Sequence, residues 1–205
     1  MSHTYNIDDL RYLMSRLRDS DTGCPWDIKQ TFKTIAPFTV EEVYEVVDAV
    51  ERGDTEHLSE ELGDLLFQII FYSQLGAEDT VFDWDIIVSG TTEKLIRRHP
   101  HVFPDGTLQS VRSPDLVFDV KAINKQWEET KKRERAGKGE DGVLADIPLA
   151  MPALNRAQKL QKRASSVGFD WTDLKDVLAK VKEEIAELEV EITRGDKVAM
   201  EDEMG

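Results

Sequence analysis

Between Leu62 and Tyr72 the chain is apolar on almost every side of a helix. At 100° per residue Leu62, Leu65, Leu66 and Ile69 cover one side, and Phe67, Ile70 and Phe71 cover much of the rest. Glu61, Asp64 and Gln68 are the interruptions, and they share one narrow stripe. A helix apolar nearly all round is buried, and a buried carboxylate is costly unless it is paired or holds a cation. Asp64, flanked by Leu65, Leu66 and Phe67, is therefore expected in apolar surroundings. The preceding helix carries a second pair, Glu42 and Glu45. Each pair is spaced i, i+3 and lies on one side of its helix. Four carboxylates without a basic partner at helical spacing suggest a divalent metal. All-oxygen ligands suit Mg2+, with Mn2+ as a substitute. A di-iron bundle would show Glu-x-x-His on two helices, and neither pair here has that His. Glu41, Asp48 and Glu51 read instead as solvated charges.

Charge and composition remove several function classes. With 41 acidic against 26 basic residues in 205, the formal net charge is -15. That opposes affinity for a DNA or RNA polymer or for an anionic membrane surface. No stretch approaches the ~20 apolar residues that cross a bilayer. Met1 to Asp9 lacks an apolar signal core. Cys24 is the single cysteine, so no intrachain disulfide forms, in keeping with a cytoplasmic location.

Helical periodicity organises the rest, and the class is all-α. Helices are expected at Ile7–Arg18, capped by Asp8 or Asp9, and from Thr39 as N-cap to about Arg52, ended by Gly53. Others are expected at about Glu56–Leu75, Ile86–Arg98, Asp115–Arg135, Ala153–Ser165 and Leu174–Thr193. Asp19–Trp26 reads as a loop, and Lys131–Asp146 as a charged, glycine-containing connector. The second half repeats the first. Glu184 follows Glu42 by 142 positions, Arg194-Gly195-Asp196 follows Arg52-Gly53-Asp54 by the same 142, and so does Glu203 after Glu61. An ungapped match of this kind is an internal repeat. Residues 1–110 form the first copy, 111–150 a helix and connector, and 151–205 a second copy that stops short of its fourth carboxylate. The chain thus reads as a shortened version of a longer protein.

E-E-x-x-E followed by E-x-x-D, with Gly23-Cys24-Pro25-Trp26-Asp27, Lys94 through Phe103 and Val167-Gly168-Phe169-Asp170-Trp171, resembles the MazG family of nucleoside triphosphate pyrophosphohydrolases. The resemblance implies cleavage of an NTP or dNTP to NMP or dNMP and pyrophosphate, with Mg2+. It implies a tandem-repeat helical bundle whose four-helix core is completed by a homodimer. It implies Glu42, Glu45, Glu61 and Asp64 as metal ligands, with Glu184, Glu187 and Glu203 as an incomplete second set. Glu41 or Glu45 would take the proton of the attacking water. Lys94, Arg97 and Arg98, at i, i+3 and i+4, form one basic face for the pyrophosphate, and Trp26, Asp27 and Trp127 are further substrate contacts. Two other readings stand beside this one. One is a regulatory module that binds nucleotide and metal without turnover. The other is a more selective hydrolase of dUTP or of a phosphoribosyl nucleotide. His99 and His101 read as a structural turn around Pro100, and Cys24 as a small packed side chain rather than a nucleophile.

Overall fold

A computed structural model describes residues 4–115, 119–137, 142–171 and 173–204, apart from the side chains of Lys132, Arg135 and Ala136. The described residues contain helices and no strand. The chain divides into two compact units, Met1–Asp119 and Val120–Gly205.

The first unit is built on a helical hairpin. α3 (Phe32–Arg52) and α4 (Thr55–Glu78) are its arms. Gly53 ends α3 in the left-handed region at φ 67°, where a side chain would be strained, and Asp54 immediately caps α4 by accepting from the His57 N–H. Only these two residues link the arms, so the helices pack antiparallel. α1 (Ile7–Leu17) and α5 (Trp84–Arg98) also pack on α4, and α2 (Pro25–Ile28) is a single turn. The core is Met14, Ile35, Ile70, Phe71 and Leu75, surrounded by Leu10, Phe32, Leu66, Phe67, Tyr72 and Trp84. Six of these eleven residues belong to α4, between Leu66 and Leu75.

Several helix starts differ from the sequence expectation. α1 is capped by Asn6, not Asp8 or Asp9. Its side chain accepts from the Asp8 and Asp9 N–H groups, and the Asp9 carboxylate accepts from the Asn6 N–H. α3 begins eight residues before the expected start. Thr31 and Thr34 form the reciprocal cap, and Pro37 lies inside the helix. A proline this early costs the ladder one N–H bond, which the rest of a 21-residue helix tolerates. Thr39 caps nothing. Its hydroxyl meets the Ile35 carbonyl at 3.3 Å and the Tyr72 hydroxyl at 2.9 Å, joining α3 to α4. The expected loop Asp19–Trp26 gives way at Pro25, which opens α2 from the position where its missing N–H costs nothing.

In the second unit α6 spans Val120–Ala136, and the expected start at Asp115 leads into residues 116–118, outside the described residues. The expected connector is helical as far as Ala136, and its residues 138–141 also lie outside the described residues. α7 (Ala153–Ser165) has the expected bounds, and α8 (Leu174–Arg194) extends one residue further than expected. α8 packs on the short α9 (Lys197–Glu203). The α8–α9 junction has the backbone of the α3–α4 junction: Gly195 is left-handed at φ 72°, and Asp196 caps the next helix.

Candidate functional site

The tight link at Gly53 and Asp54 sets which carboxylates meet. With two antiparallel arms rising ~1.5 Å per residue, Glu45 stands level with Glu61, and Glu42 stands between Asp64 and Gln68. Ligand oxygens of Glu42, Glu45 and Glu61 lie within 4.8 Å of one another. Asp64 is outside that trio but close enough for its charge to act on Glu42 and Glu61.

Burial is distributed differently from the expectation. Glu61 is buried at 8% exposure, Glu42 is half-buried, and Glu45 and Asp64 are exposed. The apolar run does not sink Asp64, because α1, α3 and α5 together enclose the C-terminal half of α4. In the other half Leu62, Gly63 and Asp64 are exposed, and Glu61 beside them is buried.

The electrostatics follow from crowding. Burial, then Asp64 and Glu45, push the Glu42 carboxyl above its ordinary value, while a hydrogen bond from Gln68 opposes the rise. Burial and then Glu45 push the Glu61 carboxyl up, and His57 opposes that. His57 Nε2 lies 3.2 Å from Glu61 Oε1, and its Nδ1 lies 3.7 Å from Glu60. The cluster therefore has a basic partner, contrary to the sequence reading. The signal was present, since His57 precedes Glu61 by four residues on the same helix. Gln68 was also missed as a member of the site. It is 7% exposed, and its Oε1 has no partner among the described residues.

The carboxylates fit a hard divalent cation. Three oxygen donors converge where like charges otherwise repel, and a buried amide oxygen beside them lacks a donor.

The remaining predicted residues are spread over both units. Glu41 is exposed on α3. Trp26 is half exposed and meets Phe38 edge-on at 5.8 Å. Asp27 is buried, and its carbonyl accepts from Arg18. Lys94, Arg97 and Arg98 lie toward the C-terminal end of α5. The chain reverses before that helix, with the Val81 and Phe82 N–H groups both bonded to the Gly76 carbonyl. His99 follows the trio, its Nδ1 2.6 Å from the Leu95 carbonyl, and its ring is 5.6 Å from that of His101. Trp127 belongs to α6 in the second unit, where the Lys131 ammonium sits 4.3 Å from its ring centre. Cys24 is a half-buried free thiol. In the second unit Glu184, Glu187 and Glu203 also converge within 4.8 Å. There Lys180 pairs with Glu183 at 2.9 Å and with Glu184 at 2.8 Å.

No helix among the described residues is long and apolar enough to cross a membrane. A domain model described as MazG nucleotide pyrophosphohydrolase matches residues 30–103, the segment that contains the first cluster. The chain is 49% identical over 201 residues to the nucleoside triphosphate pyrophosphohydrolase of Escherichia coli K12, covering 97% of this chain and 73% of that one. It is 39% identical over 182 residues to the nucleoside triphosphate pyrophosphohydrolase/pyrophosphatase MazG of Thermotoga maritima, covering 89% and 66%. A crystal structure of a mazG-related protein from Thermotoga maritima aligns with 62% of this chain and 99% of its own at a TM-score of 0.49 and 26% identity.

Proposed function

Because the chain belongs to the MazG family and is a nucleoside triphosphate pyrophosphohydrolase, we propose that the Glu42, Glu45, Glu61 and Asp64 group is its catalytic centre and that the cation there is Mg2+. The observation that supports this most is the convergence of three carboxylates within 4.8 Å inside the matched segment. Glu42, Glu45 and Glu61 would hold the ion, with Asp64 completing the set. Mn2+ would substitute, since the donors are all oxygen. When bound, the cation neutralises the charge of the triphosphate oxygens.

The protein's own groups supply the rest. An unliganded Glu45 oxygen, or the exposed Glu41 carboxylate, accepts the proton of the water that attacks the α-phosphorus. The α–β anhydride bond breaks, and NMP or dNMP and pyrophosphate leave. Lys94, Arg97 and Arg98 bind the departing pyrophosphate by charge-assisted hydrogen bonds. α5 follows α4 after five intervening residues and packs on it. The trio sits toward the C-terminal end of α5, a helix that packs on α4, and this supports assigning it to the same site. Trp26 is a proposed base-stacking residue and Asp27 a further substrate contact. The two copies of the sequence motif are proposed to be two MazG-like repeats, of which the first carries the complete carboxylate set.

A second copy of the chain would cover the apolar residues left open on the hairpin. Val40, Val43, Val47 and Val50 on α3, with Leu62 and Ile69 on α4, are 39–58% exposed. A symmetric pairing of such faces completes a four-helix core. Sedimentation at twice the chain mass of 23.4 kDa is the expected result, and a monomer at micromolar concentration removes the dimer.

The catalytic assignment is tested with Glu42→Gln and Asp64→Asn. Each should lose at least ~100-fold in pyrophosphate release from dNTPs with Mg2+, as expected when a catalytic electrostatic contact is removed. Wild-type turnover in both variants overturns the assignment.

A further inference from the structure

Gln68 is the one neutral polar side chain on the acidic stripe of α4, one turn beyond Asp64 and two turns beyond Glu61. It is 7% exposed in a stretch where Ile70 and Phe71 are core residues. Its carbonyl oxygen Oε1 is buried and has no partner among the described residues. A leucine or methionine would fill this space without an orphaned acceptor, so packing does not account for the amide. The acceptor needs a hydrogen-bond donor that the described residues do not supply.

We propose that Gln68 is a positioning residue of the cation site, its carbonyl oxygen accepting a hydrogen bond from a water of the divalent ion's hydration shell. This rests on the reading of the acidic group as a divalent-cation site. Mg2+ and Mn2+ keep several waters when bound by few protein ligands, and each such water has two protons to donate. The neighbouring carboxylates can accept some of these. An amide adds an acceptor without adding a fourth or fifth negative charge, which would worsen the repulsion already felt by Glu42 and Glu61.

The test is Mn2+ binding followed by electron paramagnetic resonance, with no nucleotide present, together with thermal unfolding in EDTA. Gln68→Met keeps the volume and removes both polar functions. It should weaken Mn2+ binding at least tenfold, in the range seen for groups that orient metal ligands, while unfolding in EDTA at or above the wild-type temperature. Gln68→Glu keeps oxygen acceptors but cannot donate when ionised. It should bind Mn2+ within threefold of wild type and be less stable in EDTA. A purely structural amide predicts the opposite pattern: lower stability for Gln68→Met and unchanged affinity. That result overturns the proposal, as does an equal loss of affinity in both variants. Should Gln68→Met not fold, Gln68→Asn, which withdraws both amide atoms by one methylene, takes its place with the same expectation. Absence of Mn2+ binding by the wild-type chain overturns the cation site itself, which is distinct from a wild type that binds and variants that bind equally well.

Discussion

Arg18 shows how much one side chain can tie together. Its side chain is 7% exposed, and its Nε and Nη2 reach the Glu78 carboxylate at the end of α4. Nη1 donates to the Asp27 and Gln30 carbonyls, and the guanidinium lies 5.4 Å from the centre of the Phe71 ring. The turn containing Trp26 and Asp27 is thereby fastened to the end of the helix that carries Glu61. Arg18→Met would leave two carbonyls without their donor and the Glu78 carboxylate with Gln74 alone. The expected loss is about 3 kcal/mol of unfolding free energy, measured by denaturant titration. The pH response has a definite sign. Arg18, assisted by Gln74, holds the Glu78 carboxyl below its ordinary value of 4.5. A carboxyl lowered in the folded state contributes stability that is present above the unfolded value and is lost as pH falls through the folded one. The wild-type denaturation midpoint should therefore decline below about pH 4.5, and the Arg18→Met midpoint should decline less over that interval. Equal slopes for the two proteins remove Arg18 as the cause.

At the scale of the helix, the end of α4 depends on Gly76. A Cβ there would stand 2.5 Å from the Phe82 ring and 2.6 Å from the Phe82 carbonyl oxygen. The Gly76 carbonyl also accepts from both the Val81 and Phe82 N–H groups, so the obstacle includes backbone that is held in place. Gly76→Ala should cost roughly 2 kcal/mol by overpacking and displace α5, which follows directly. Undiminished thermal stability together with unchanged turnover would show that the turn yields. Whether an element could be read from the sequence tracked whether its cause was local. The ends at Gly53 and Gly195 were legible because one left-handed residue sets each of them. The carboxylate trio was legible because helical spacing and a two-residue link decide it. The start of α3 was misplaced because Thr39 looks like a cap, although its hydroxyl is engaged by Tyr72, 33 positions away. The burial of Glu61 rather than Asp64 depends on which neighbouring helices cover which half of α4, and periodicity does not carry that information. Gln68 appeared in the sequence as an interruption of an apolar stripe, but its orphaned oxygen is a property of the packed hairpin alone.

For the molecule as a whole, the two acidic groups raise the question of where a cation goes first. In the first unit, Glu61 is buried and His57 and Gln68 support the cluster. The raised Glu42 and Glu61 carboxyls mean that, without metal, this cluster contributes stability at low pH that is lost as pH rises through their folded values. A divalent cation reverses that loss, and at a hundred times its dissociation constant it adds about 2.7 kcal/mol. EDTA at neutral pH should therefore lower the unfolding temperature, and excess Mn2+ should restore it. The second cluster is built differently. Ala199 stands where the repeat would place a counterpart of His57, and the Lys180 ammonium already occupies Glu184. In the second cluster too, burial comes first, followed by Glu187 and Glu184, in pushing the Glu203 carboxyl up. A lysine that must be displaced lowers cation affinity, though a pair this exposed does so only a few-fold. The tighter class of Mn2+ sites in a titration should thus vanish in Glu61→Gln and persist in Glu203→Gln. Lys180→Ala should strengthen the weaker class by a few-fold and leave the tighter one unchanged. Loss of the tighter class in Glu203→Gln instead would place the preferred cation in the second unit, and the difference between Lys180 and His57 would then not govern the order of filling.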